Sequence, residues 1–288
     1  MKNLRLPIAD GRWPVHSGWA CRASIENQKS KIKNGFTLIE LLVVIAILGL
    51  LAALSVPALK NLGKSNTQVS AARQLLDDVS RARQLAIGGH TTVYMVFVPA
   101  IWNLSASLPA AAANLLDKQY SGYNFISLRS VGDQPGQRTP RYLSDWKSLP
   151  DGAFLATNKF YGSYSITDHS LNVTYPINQF NYTNLFPFPT ETNFNYSSGV
   201  LVPSLPYIAF NYLGQLSDAG GNLAQNDEYL PLAQGTVGYA ADPSTKALQW
   251  SVPDVSENPP GNSTNSMFTL VHIDRLTGRA GVLQQKVQ

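Results

Sequence analysis

Glu40 is the residue whose type and place most suggest chemistry. It is the only charge in FTLIELLVVIAILGLLAALSVPAL, the run from Phe36 to Leu59. Where lipid surrounds it, a carboxylate costs about 2.5–3.5 kcal/mol, so one kept there marks a functional pairing. The other titratable residues form no catalytic constellation. His16, His90, His169 and His272 lie far apart, and no HExxH, CxxC or Gly-rich phosphate loop occurs. His272 falls in a predicted strand and reads as structural. Asp218, Asn222, Asp227 and Glu228, within SDAGGNLAQNDE, offer oxygen ligands suited to a hard cation. Their spacing matches no defined metal loop, so a solvated turn is the preferred reading. No catalytic residue or metal site is predicted, and the chain does not read as an enzyme.

The element that must position Glu40 is the apolar run itself. Its length exceeds the roughly 20 residues that a helix needs to cross a bilayer. Lys29, Lys31 and Lys33 flank its start, which predicts a cytoplasmic N-terminal side and the rest of the chain outside. A secretory signal would be cut after its apolar run at small residues, whereas the junction Lys33-Asn34-Gly35-Phe36 lies before it. Residues 1–35 also carry seven basic and two acidic side chains; without them 15 basic face 16 acidic, a net charge of −1. A near-neutral chain of that kind leaves no broad footprint for nucleic acid. The only cysteine, Cys21, lies in the same basic segment, so the remainder has no disulfide.

KNGFTLIELLVVIAILGLLAALSVP resembles the N-terminus of type IV pilins and type II secretion pseudopilins, in prepilin-type cleavage/methylation chains. The resemblance implies that prepilin peptidase cuts between Gly35 and Phe36 and N-methylates the new Phe36 amine. It implies that Glu40 pairs with the Phe36 amine of another copy or of a partner pilin during assembly. Gly49 and Pro57 match positions between which the helix of such subunits loosens in filaments. Low helix propensity at Gly49 and the missing amide donor of Pro57 give a physical reason. The 35-residue leader is longer than the family's usual ones. Some pseudopilins bind calcium in a loop, the only support the family lends to a cofactor at the acidic cluster; none is expected.

Past Pro57, Leu62, Val69, Ala72, Leu76, Val79 and Ala86 form the stripe of an amphipathic helix. Lys64, Arg73, Asp77, Asp78 and Arg81 are assigned to its polar face, and Gly88-Gly89 to its end. Strands are predicted at Thr92–Val98, Tyr207–Tyr212, Met267–Ile273 and near Ala280–Leu283, with a turn at Asp274–Arg279. The fold class is thus α+β and pilin-like, a long N-terminal helix packed on an antiparallel β-sheet. RARQLAI, IAFNYLGQL and TGRAGV resemble the H-type minor pseudopilins in their order along the chain.

The expected organisation has a basic leader at 1–35, a transmembrane and assembly helix at 36–59 and an amphipathic helix at 60–87. A β-rich extracytoplasmic domain follows at 88–288, with insertions at about 100–206 and 217–266. Within the first insertion, Thr157–Ser197 is rich in aromatics, read as rings buried in their own core in preference to a binding surface. The expected function is that of a structural subunit of a type IV pilus or type II secretion pseudopilus, in the bacterial inner membrane before assembly. Prepilin peptidase, other pilin or pseudopilin subunits and the inner membrane are its expected partners. The alternative is a minor pilin for adhesion through the aromatic stretch or for DNA uptake through Arg275, Arg279 and Lys286.

Overall fold

The computed structural model describes residues 37–101, 110–129, 132–134, 139–188, 204–264 and 267–284, with the side chains at 54–66 and 110–111 outside that description. The chain divides into two units, Met1–Ala53 and Leu54–Gln288. It is α+β, with antiparallel sheets and a helix near the N-terminus. That helix, α1, runs from Leu38 to Gly89 over 52 residues.

In the second unit α1 is amphipathic, and its apolar stripe builds the core. Ala71, Ala72, Leu75, Val79, Ala82 and Ala86 are at most 2% exposed. Steps of three and four keep them on one side, and four of the six are alanines, which let the backbone come close to its neighbours. Ala72, Val79 and Ala86 fall where the sequence places them. Val69 is exposed, Leu76 only partly buried, and Leu62 lies outside the described side chains. Asp78, assigned to the polar face, is buried, because Leu75, Asp78 and Ala82 continue the stripe at steps of three and four.

The helix also ends differently from expectation. It runs through Gly88 and Gly89, and His90 takes the left-handed conformation with φ 46°. The Thr91 amide donates to the Ala86 carbonyl at 3.2 Å and the His90 amide to Ile87 at 3.3 Å. This double bond is a Schellman cap with histidine in the place glycine usually fills.

Thirteen strands follow among the described residues. The first are β1 (Val93–Phe97), β2 (Gly122–Ser127), β3 (Arg141–Tyr142), β4 (Lys147–Ser148) and β5 (Ala153–Leu155). A short helix, α2 (Asn158–Tyr161), precedes β6 (Tyr164–Asp168), β7 (Val173–Ile177), β8 (Tyr207–Phe210) and β9 (Leu216–Ser217). The last are β10 (Glu228–Gly238), β11 (Asp254–Glu257), β12 (Thr269–Ile273) and β13 (Ala280–Gln284).

One sheet has the order β3-β2-β1-β8-β9, with β4 also on β2; the other is β11-β10-β12-β13, with β5 also on β10. β6 and β7 pair apart as a hairpin. The two long segments expected as insertions supply β2 beside β1 and β10 beside β12, which are interior strands of both sheets.

β1 is buried at all five positions because it has a core on each face. Val93, Met95 and Phe97 pack with the α1 stripe, with Tyr123 and Phe125 of β2, and with Leu230 and Val271 of the second sheet. Tyr94 and Val96 point the other way, to Leu115 and Leu116 of a 3-10 helix (Ala110–Lys118) and to Phe186 and Phe188. A strand covered twice is expected to read as continuously apolar, and VYMVF does.

Candidate functional site

Glu40 sits in the first turn of α1, and the local sequence Thr37-Leu38-Ile39-Glu40 fixes how. The Thr37 amide donates to Glu40 Oε2 at 2.8 Å and the Thr37 hydroxyl to the same oxygen at 2.7 Å. In return the Glu40 amide donates to Thr37 Oγ1 at 3.3 Å. This is a capping box, which satisfies two of the amides that a helix start leaves without partners. The spacing Thr-x-x-Glu was legible in the sequence, and pairing with an amine was the only role drawn from it. Both bonds fall on Oε2, so Oε1 is without a partner among the described residues and can still meet a cation.

From Leu38 to Leu51 the apolar side chains point outward on every side, at 44–84% exposure. A helix apolar all round needs lipid or other apolar helices around it. A methyl group added at Gly49 would meet nothing within 4 Å, so this glycine serves no packing inside the chain. No helix among the described residues is long and apolar enough to cross a membrane. The described side chains break off at Ala53, about 22 Å from Leu38 at 1.5 Å per residue, and resume at Thr67, whereas the apolar sequence continues to Leu59. Gly35 and Phe36 lie outside the described residues, as does the side chain of Pro57, whose backbone lies within α1.

The acidic residues considered for a cation each have another task. Asp218 Oδ1 accepts the amides of Gly220 and Asn222, both at 2.9 Å, and so closes a turn. Asp227 Oδ2 meets His272 Nε2 at 2.8 Å, while its Oδ1 accepts the Arg275 amide at 3.0 Å. Glu228 pairs with Lys159, whose ammonium also donates to the Asn178 carbonyl. Among the described residues no group of three or more His, Cys, Asp or Glu could hold a metal ion. His272 stacks on Tyr229 with ring centres 4.9 Å apart and is held in place by Asp227, a structural setting.

The aromatic stretch divides in the same way. Phe160, Phe180, Phe186 and Phe188 are buried, and Phe180 stacks on Phe97 of β1 at 4.7 Å. Tyr161 is exposed; Phe194 and Tyr196 lie outside the described residues. Arg275 is tied into the fold through its amide and through Nη1, which reaches the Ala224 carbonyl at 3.4 Å. Arg279 is exposed, and Lys286 lies outside the described residues.

Two buried networks were not foreseen. Tyr123 donates its hydroxyl to Asp78 Oδ2 at 2.5 Å, Lys147 pairs with the same carboxylate, and Gln74 Nε2 donates to the Tyr123 oxygen at 2.7 Å. Burial, and then the carboxylate beside it, push the Tyr123 phenol far above its ordinary pKa. Lys159 is fully buried, with its ammonium 4.9 Å above the Phe180 ring. The periodicity of α1 could have exposed the first network; nothing local to Lys159 announces the second.

No curated protein and no solved structure matches the chain. Residues 30–56 match a family model, the prokaryotic N-terminal methylation motif, which makes this segment type IV pilin-like, of the kind that prepilin peptidase processes.

Proposed function

We propose that the chain is a structural subunit of a type IV pilus or a type II secretion pseudopilus, with the H-type minor pseudopilins as its nearest shape. Prepilin peptidase cuts between Gly35 and Phe36 and methylates the Phe36 amine. Until assembly the run Phe36–Leu59 holds the subunit in the bacterial inner membrane, N-terminus cytoplasmic. In the filament the amine of one subunit meets Glu40 of another, so two groups that are costly alone in an apolar medium become a pair. Gly49 and Pro57 let the helix loosen there.

The observation that carries this reading is one stretch of sequence that joins the methylation motif to an outward-facing apolar surface. No enzymatic step is required of any residue. Adhesion finds little support, because the buried phenylalanines of the aromatic stretch serve the core. DNA uptake finds little support in Arg275, whose guanidinium already donates to the Ala224 carbonyl.

The test is assembly in cells that hold the machinery. Wild-type chain should appear in sheared or pelleted filaments, and Glu40→Ala should be processed but lost from them. Glu40→Ala filaments at wild-type yield would remove the carboxylate from the account.

A further inference from the structure

The register of the first sheet gathers three arginines. β1 runs antiparallel to β2 with Val93 opposite Ser127, and β2 to β3 with Ser127 opposite Arg141. The end of β2, the start of β3 and the residues before β1 thus meet at one corner of the sheet, beside the last turns of α1. There Arg81 of α1, Arg129 just after β2 and Arg141 of β3 line one hollow of roughly 530 Å³, with Gln84, Leu85 and Leu143 in its wall. All three arginines are exposed, and none has an acidic partner among the described residues. The C-terminal end of α1 borders the same hollow and brings about half a negative charge, which three guanidinium groups outweigh. Each of them presents a planar fork that matches the oxygens of a carboxylate or a phosphate. A carboxylate has two oxygens and one charge. A phosphate monoester has three free oxygens and a charge of about −1.5 to −2, enough to meet all three forks.

A second hollow, of roughly 290 Å³, adjoins the first, because Thr91 and Arg129 line both. Its wall is of another kind. Thr92 and Asn184 contribute to it, and so does the turn at Gly220 and Gly221. Asn184 donates its Nδ2 to the Tyr207 hydroxyl at 3.0 Å, which leaves its Oδ1 to accept. A threonine hydroxyl both donates and accepts. Asp218 holds the glycine turn in shape through the Gly220 and Asn222 amides. Neutral donors and acceptors of this kind suit the hydroxyl groups of a ligand, not its charge.

We propose that the two hollows form one binding site for a phosphorylated sugar. The phosphate takes the hollow of Arg81, Arg129 and Arg141, and the hydroxyl-bearing ring takes that of Thr92 and Asn184, with Arg129 between them. Arg81 stands about 33 Å of helix beyond Leu59, at 1.5 Å per residue. A lipid headgroup at the end of the apolar run is thus a poorer match than a soluble sugar phosphate or a phosphorylated glycan. The site lies within the second unit, and it stands whether or not the chain assembles.

The experiment is calorimetric titration of the full chain in detergent with glucose 6-phosphate, mannose 6-phosphate, glucose and inorganic phosphate. At least one sugar phosphate should bind about tenfold tighter than inorganic phosphate, and glucose should give no heat. Arg129→Gln should weaken the sugar phosphate and inorganic phosphate alike, by about tenfold. Thr92→Val with Asn184→Ala should remove the preference for the sugar phosphate and leave inorganic phosphate unchanged. Retention of the chain on lipopolysaccharide micelles, lost when these are dephosphorylated, assigns the ligand to a surface glycan; binding of the free sugar phosphate alone assigns it to a solute.

No binding of either sugar phosphate overturns the proposal, as does equal affinity for inorganic phosphate or binding that Arg129→Gln leaves intact. Tighter binding of a single-stranded oligonucleotide through the same arginines also overturns it and makes the cleft a nucleic-acid contact. The comparison of ligands on the wild type needs no substitution, so it decides the matter even where a variant fails to fold.

Discussion

Apolar side chains crowd α1 at both ends of its length, yet they meet opposite surroundings. Between Leu38 and Leu51 they are 44–84% exposed on all sides, and between Ala71 and Ala86 one stripe is at most 2% exposed. The second stretch alternates with Arg73, Asp77 and Arg81, so the chain can cover its apolar side with its own sheets. The first has no polar side to turn to water. One part of the helix builds the fold, and the other turns its apolar side chains outward.

That contrast can be broken most strongly with alkali. Burial raises the phenols of Tyr120, Tyr123, Tyr164 and Tyr182, and that of Tyr207 to about 12. All belong to the second unit, and the run Phe36–Leu59 holds no tyrosine. A phenol whose folded pKa is raised stabilises the fold fully below the unfolded value near 10, and loses that contribution as pH rises through the folded one. The β-domain should therefore unfold between pH 10 and 12 or just above, with tyrosinate absorbance and loss of sheet signal in one transition. Helical signal from the detergent-bound N-terminal stretch should persist. Separate transitions would refute burial as the cause.

A core deletion sharpens the comparison next. Leu75→Ala should cost about 2–5 kcal/mol in urea unfolding of the β-domain, while Leu48→Ala should leave that unfolding unchanged. Equal losses would mean that the two stretches are not divided in this way. Asp78→Ala follows, at roughly 2–3 kcal/mol, because it leaves the Tyr123 hydroxyl and the Lys147 ammonium without their carboxylate. Lys147 is 30% exposed, which holds the figure below that of a fully buried pair. Replacing Lys147 by methionine together with Asp78→Leu should recover part of it. The smallest effect belongs to Thr37→Ala. Loss of the capping box should weaken the first turn by about 0.5–1 kcal/mol, visible as faster amide exchange at 38–41 and absent from the global unfolding curve.

What was legible in the sequence follows from how local each signal is. The methylation motif, the helix after it, β1, β12 and the tight turn at Asp274 are written in contiguous residues. In that turn the Asp274 carboxylate takes the Thr277 amide and hydroxyl at 2.7 and 2.8 Å, and Gly278 adopts φ 60° with its α-carbon against the Gly214 carbonyl. Such a site accepts only glycine, since a Cβ would stand 2.1 Å from that oxygen. The place of β2 and β10 as interior strands depends on partners far along the chain, which local pattern does not reveal. Asp78 was misplaced for a related reason: a charge on an apolar stripe reads as a polar face until Tyr123 and Lys147 are seen to meet it. Gly88-Gly89 misled because glycine ends helices by propensity, whereas here His90 carries the left-handed turn.

The central claim, that an outward apolar helix begins at a processed Phe36, is tested most directly by intact mass and N-terminal sequencing of the chain expressed with prepilin peptidase. A product starting at N-methylated Phe36, and blocked when Gly35 is substituted, is the predicted result. A product that keeps residues 1–35, or one cut beyond Leu59, would contradict it and leave the apolar run as a plain anchor or a signal peptide.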